Sequence, residues 1–141
     1  MPVMSAVDVI GKGKTDRYLD DAELREIVEQ GIEAADLRGK RVLMLIPDGT
    51  RTMPMGQMFR IFDELLRPHV PALDYLVALG THPPMSDEQL SKMVGRSVVN
   101  GWAGTSRVFN HHWEDPKTFV SLGTIPADEV KELTRGHLAQ D

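Results

Sequence analysis

The 141-residue chain contains no cysteine. Disulfides, thiolate-held zinc, iron–sulfur clusters and thiol nucleophiles are therefore excluded within it. It has no apolar run approaching the length of a membrane span. Its first residues, MPVMSAVDVI, lack the charged segment and long apolar stretch of a signal peptide, so a cytoplasmic location is expected. An excess of positive charge is also missing. The formal net charge is −5, which argues against a nucleic-acid or anionic-membrane surface and leaves room only for a local basic pocket. Repeats, low-complexity segments and a clear linker are absent. What is present is ordinary for a globular domain: 41% apolar and 26% charged residues, enough for a packed core.

The element order follows from periodicity and caps. A short strand is expected near Val7 to Ile10. Asp20 and Glu23 have capping-box spacing, and Leu24, Ile27, Val28, Gly31, Ile32 and Ala35 follow at helical intervals, ending by Gly39. Arg41 to Pro47 reads as a strand whose unbroken apolar run predicts cover on both faces. Met58, Phe59, Phe62, Leu65 and Leu66 form the apolar face of a second helix, stopped by Pro68. Leu73 to Leu79 is a second buried strand. Ser86 and Gln89 form another capping box, with Met85 and Leu90 as a hydrophobic staple and Gly95 at the helix end. Residues 98–105 fit no single element. Arg107 to Asn110 is strand-like, and Phe119 to Leu122 is a further strand candidate. Pro126 suits the first turn of a last helix with Val130 and Leu133 inward. The alternation predicts an α/β fold: a Rossmann-like, three-layer domain with a mainly parallel sheet, occupying residues 1–141 as one domain.

In such sheets ligands sit beyond the carboxyl ends of the strands. Three polar loops fall there: Asp48 to Pro54, Gly80 to Pro84, and Asn110 to Asp115. The first contains Asp48-Gly49-Thr50-Arg51. Arg51 can fork two hydrogen bonds to a phosphate or carboxylate, Thr50 and nearby N–H groups can add donors, and Asp48 can accept from a ribose hydroxyl or orient Arg51. The same residues also suit a turn that merely caps the following helix. His82, stiffened by Pro83 and Pro84, suits a general acid/base or a hydrogen-bonded turn residue. His111-His112-x-Glu114 has adjacent histidines that an extended backbone points apart, so no metal site is expected there. His69 and His137 are expected to be solvated, and the methionines to be packing residues. Gly11-Lys12-Gly13-Lys14-Thr15 resembles the end of a P-loop, but Asp8 stands where its first glycine belongs, so a chance match is expected.

Taken together, the loops resemble the N-terminal part of the nickel-dependent lactate racemase family. That family carries a D-x-T-R-P-x-P loop, a G-T-H motif, an N-H segment and an L-G-T end. The matches here are Asp48 to Pro54, Gly80-Thr81-His82, Asn110-His111 and Leu122-Gly123-Thr124. The resemblance covers about Tyr18 to Leu133. It implies a racemase or epimerase of 2-hydroxy acids using a nickel pincer nucleotide, with proton transfer coupled to hydride transfer. Asp48, Thr50 and Arg51 would hold the nucleotide's ribose and phosphate end. His82 would take the substrate's hydroxyl proton, and Thr81 and His111 would contact the substrate.

Two departures stand out: Thr52 replaces the first loop proline, and Pro83 stands where lactate racemases often carry arginine. Lactate itself is thereby in question, and the substrate class stays at 2-hydroxy acids. The family's second catalytic histidine, its cofactor-bearing lysine and its nickel-binding histidine have no counterpart up to Asp141. The chain is therefore expected to be the N-terminal part of a two-domain enzyme, inactive alone, with the C-terminal remainder as partner. The alternatives are a non-catalytic nucleotide- or phosphate-binding α/β module, and a structural domain pairing through an exposed edge.

Overall fold

The computed structural model describes residues 9–140. The chain divides into two compact units, Met1–His111 and His112–Asp141.

In the first unit, helix α1 spans Asp21–Ala35 and opens with the expected capping box. The Asp20 carboxylate accepts from the Glu23 N–H, and the Glu23 carboxylate accepts from the Asp20 N–H. Strand β1, Val42–Pro47, leads into helix α2, Met55–Leu66. A 3-10 turn at Arg67–His69 then carries the chain to strand β2, Leu73–Ala78. Helix α3, Asp87–Val94, has the Ser86–Gln89 capping box and ends at Gly95. Strands β3, Trp102–Ala103, and β4, Ser106–Asn110, complete the sheet. No helix among the described residues is long and apolar enough to cross a membrane.

The sheet order is β1-β2-β4-β3. β1 pairs parallel with β2, from Val42 opposite Leu73 to Pro47 opposite Ala78. β2 pairs parallel with β4, and only β3 is antiparallel. The α/β fold with a mainly parallel sheet is thus as expected. Residues 98–105, which fit no single element in the sequence, form a hairpin. Asn100 and Gly101 both have positive φ, at 51° and 74°, and Val99 and Trp102 exchange backbone hydrogen bonds across them. An Asn-Gly pair is the natural choice for that turn, because its hand matches the twist of the flanking strands.

Side chains at alternate positions of β2 — Leu73, Tyr75 and Val77 — are fully buried. They share one core with Ile46, Val108, Phe59 and Leu66 of α2, and Leu90 and Val94 of α3. The Phe59 and Tyr75 rings stack with centroids 4.4 Å apart. Both helices therefore cover the same sheet face. α1 is tied to α2 by ion pairs from Arg60 to Asp21 and from Arg25 to Glu64. The expectation that β1 is covered on both faces does not hold: Leu43 is 54% and Leu45 69% exposed. An unbroken apolar run cannot by itself distinguish a strand buried twice from one buried once. The helix face also differs in detail, since Ile61, absent from the expected stripe, is fully buried.

The proposed first strand falls partly outside the described residues, and Val9 and Ile10 form none. Gly11 to Thr15 forms no helix start; Lys12 pairs with Glu26 and Lys14 with Glu23, as befits a surface loop rather than a phosphate loop. In the second unit, a 3-10 turn at Pro116–Thr118 is capped by the Asp115 carboxylate. Phe119 to Leu122 is not a strand, and Leu122 is fully exposed. Helix α4, Ala127–Leu133, starts after Pro126, which is its N-cap rather than its first turn. Leu133 is exposed, not inward, because so short a unit offers no core for it.

Candidate functional site

Parallel pairing places the carboxyl ends of β1, β2 and β4 side by side, so the loops after them share one sheet edge. The first loop folds tightly on itself. Asp48 Oδ1 accepts from the Thr50 N–H at 3.1 Å and from the Thr50 hydroxyl at 2.6 Å, while the Arg51 N–H meets the Asp48 carbonyl. A short acidic side chain that captures the amide two residues on is a standard way to fix such a turn. Neither Asp48 nor Thr50 caps α2, whose N-cap is Pro54 and carries no side-chain hydrogen bond. The capping explanation for this loop is thereby removed.

The second loop brings its histidine to the first. The His82 N–H bonds the Leu79 carbonyl at 3.0 Å, closing a turn in which Gly80 has φ 61°. That conformation favours glycine, which has no Cβ to clash. The turn directs the imidazole back toward β1, where Nδ1 bonds Asp48 Oδ2. Asp48 is 7% exposed, whereas the His82 side chain is half exposed. The Thr50 hydroxyl, and then His82, hold the Asp48 carboxyl down at about 2. At neutral pH it is a carboxylate with one oxygen on Thr50 and the other on His82.

Asn110, at the end of β4, fixes the rest of the second loop. Its amide accepts from the Met85 N–H and donates to the Met85 carbonyl, both at 2.9 Å, as a neighbouring strand would. The Pro83–Pro84 segment is thus pinned at both ends.

These loops and α3 line an open cavity of about 740 Å³, with Asp48, Thr50, Arg51, His82, Lys92 and Met93 in its wall. A smaller recess of about 220 Å³ is lined by Asp48, Arg51, Thr81 and His82. Asp48, Thr50, Arg51, Thr81 and His82 therefore come together as the sequence placed them. His111 stands at the same edge, its N–H on the Val77 carbonyl, but lines neither cavity. The Arg51 guanidinium has no hydrogen-bonding or charged partner among the described residues, so Asp48 does not orient it. No three His, Asp or Glu side chains cluster as a metal site among the described residues.

Gln89, expected only as a cap, Met93, expected only as packing, and Lys92 also line the cavity. Their spacing on α3, directly after the His82 loop, was the available signal: positions three and four apart share a helix face.

Comparison with known proteins places the chain in a family. Residues 12–138 match the family described as the lactate racemase N-terminal domain. A crystal structure of a protein from Thermotoga maritima, a structural genomics target, is similar with a TM-score of 0.68 and 27% sequence identity. That match covers 86% of this chain and 28% of the other, so this chain spans less than a third of that protein's length. No curated protein matches it. With the family match running over nearly the whole chain and the motif loops meeting at one sheet edge, the chain belongs to the lactate racemase N-terminal domain family.

Proposed function

We propose that this chain forms the phosphate-holding and proton-transferring part of a 2-hydroxy-acid racemase or epimerase that uses a nickel pincer nucleotide. The observation that carries the reading is the Asp48–His82 pair in the cavity wall: a buried carboxylate fixing one ring nitrogen of a half-exposed imidazole.

A carboxylate on Nδ1 favours the tautomer with its proton on Nδ1, leaving the Nε2 lone pair as the base. His82 is then set to remove the substrate's hydroxyl proton and to return it. Thr50 keeps Asp48 in place by giving it both an N–H and a hydroxyl. Asp48 and Thr50 thus act through His82, and Arg51 is the group that reaches the nucleotide.

The donors present fit the phosphate end of such a cofactor. Arg51 lacks a described partner, and α2 starts without a side-chain cap, leaving N–H groups at its positive end. When bound, the nickel pincer nucleotide supplies the acceptor for the substrate's hydride. Thr81, in the recess beside His82, is the substrate contact next to the base in this reading; His111, at the end of β4, lines neither cavity and takes no part in it. The rest of the enzyme supplies the remaining groups.

Arg51 and the uncapped helix end also favour a second reading, a module that binds a phosphorylated ligand without catalysis. One variant separates the two. In the cofactor-loaded enzyme, His82→Ala should keep its nickel and cofactor absorbance while turnover falls by about 10²- to 10⁴-fold, the usual worth of a positioned base. Undiminished racemisation in that variant would remove His82 from the mechanism and leave the binding module.

A further inference from the structure

The wall of the larger cavity is rich in thioethers. Of the six methionines among the described residues, four line it: Met53, Met55, Met85 and Met93. They come from the loop after β1, the start of α2, the end of the His82 loop and α3. Unbranched thioethers form an apolar surface that adapts to a bulky guest.

Beside this apolar surface stands Lys92. Gln89, Lys92 and Met93 present one face of α3 to the cavity. No described carboxylate pairs with the Lys92 ammonium, although the chain carries a net charge of −5. The one carboxylate in the cavity wall, Asp48, is already bonded to Thr50 and His82. The wall therefore has two cations, Arg51 and Lys92, and no unengaged acid. If Arg51 takes a phosphate, one cation remains for a second anion, next to a soft apolar surface.

Resting on the function proposed above, we propose that this is the subsite for the substrate's carboxylate and substituent, next to the recess that holds Thr81, and that the substrate is a 2-hydroxy carboxylate with a large apolar, preferably aromatic, substituent. Lys92 pairs with the carboxylate. Met53, Met85 and Met93 enclose the substituent, and the carbinol faces His82. A cavity of about 740 Å³ is of the size that holds ligands much larger than a three-carbon acid, which would leave the thioethers in contact with water.

The test needs no turnover. This chain, labelled with ¹³C at the methionine methyls, is titrated with 3-phenyllactate, with lactate and with neutral 3-phenyllactamide. The methyls of Met53, Met85 and Met93 should shift with 3-phenyllactate at concentrations about tenfold or more below those needed for lactate, given the apolar area buried. Lys92→Gln should weaken 3-phenyllactate about fivefold and leave the amide unchanged, with Lys92→Arg restoring most of the loss. Unshifted methyls, equal affinity for lactate, or indifference to Lys92→Gln would each overturn the subsite. Those outcomes are independent of His82. A loaded His82→Ala enzyme that still racemises would remove the catalytic reading and leave the methyl shifts intact.

Discussion

Replacing Tyr75 with phenylalanine should stabilise the protein. Tyr75 lies in the middle of β2 and is fully buried. Its hydroxyl has no hydrogen-bond partner among the described residues. Asp63, whose carboxylate acts on Tyr75, is already held by Arg67 at 3.1 Å and Arg96 at 2.7 Å. Burial, with Asp63 adding to it, pushes the Tyr75 phenol up, so the group stays neutral and still unsatisfied. A buried polar group without a partner costs about 1–3 kcal/mol. Tyr75→Phe removes that oxygen alone and keeps the ring on Phe59. Urea unfolding followed by circular dichroism should give a gain of about 1–2 kcal/mol, seen as a higher midpoint with an unchanged slope. The thermal midpoint should rise by roughly 3–5 °C per kcal/mol for a domain of this size. Tyr75→Ala, which removes the ring as well, should lose about 3–5 kcal/mol. A loss of stability in Tyr75→Phe of about 1 kcal/mol or more would refute the reasoning, because it would mean that the hydroxyl is satisfied.

Two more outcomes follow from the site. Asp48 is held at about 2 by Thr50 and His82, below its usual range in an unfolded chain of about 3.9. A carboxyl depressed on folding contributes its full stability above the unfolded value and loses it as pH falls through the folded one. Carboxyl-carbon NMR should place the Asp48 midpoint near 2, with stability falling between about pH 4 and pH 2; a midpoint near 4 would contradict the hydrogen bonding described. Gly80→Ala puts a Cβ on a residue with φ 61° where the surrounding space is open, so its cost is backbone strain alone, about 1–2 kcal/mol. Nuclear Overhauser contacts should show the His82 ring displaced from the Thr50 loop in that variant, and a full set of wild-type contacts would count against the turn's role.

Much of the fold was legible because its signals are local. Both capping boxes involve residues three apart, and each is made as read. The Asn100-Gly101 turn is equally local, and that pair is the strongest short-range mark of a hairpin. The exposure of Leu43 and Leu45 was not legible. An apolar side chain looks the same in sequence whether a helix covers it or not. The loops of the site could be picked out because polar residues closely follow apolar strands. The Asp48–His82 bond could not be picked out, because 34 positions separate its partners.

By itself the sequence determined the alternation of helix and strand, the exclusion of cysteine chemistry, and the four motifs in which it resembles the family. These depend on residue type and on spacings of a few positions, which the backbone converts directly into caps, turns and faces. Only the tertiary structure decided that Asp48 and Thr50 support His82, that Arg51 is left without a described partner, and that Lys92 and four methionines line the same cavity. Those facts depend on the parallel register of β1 and β2 and on the helix face that α3 presents. Register and packing are set by the whole core at once, and no single stretch of sequence carries them.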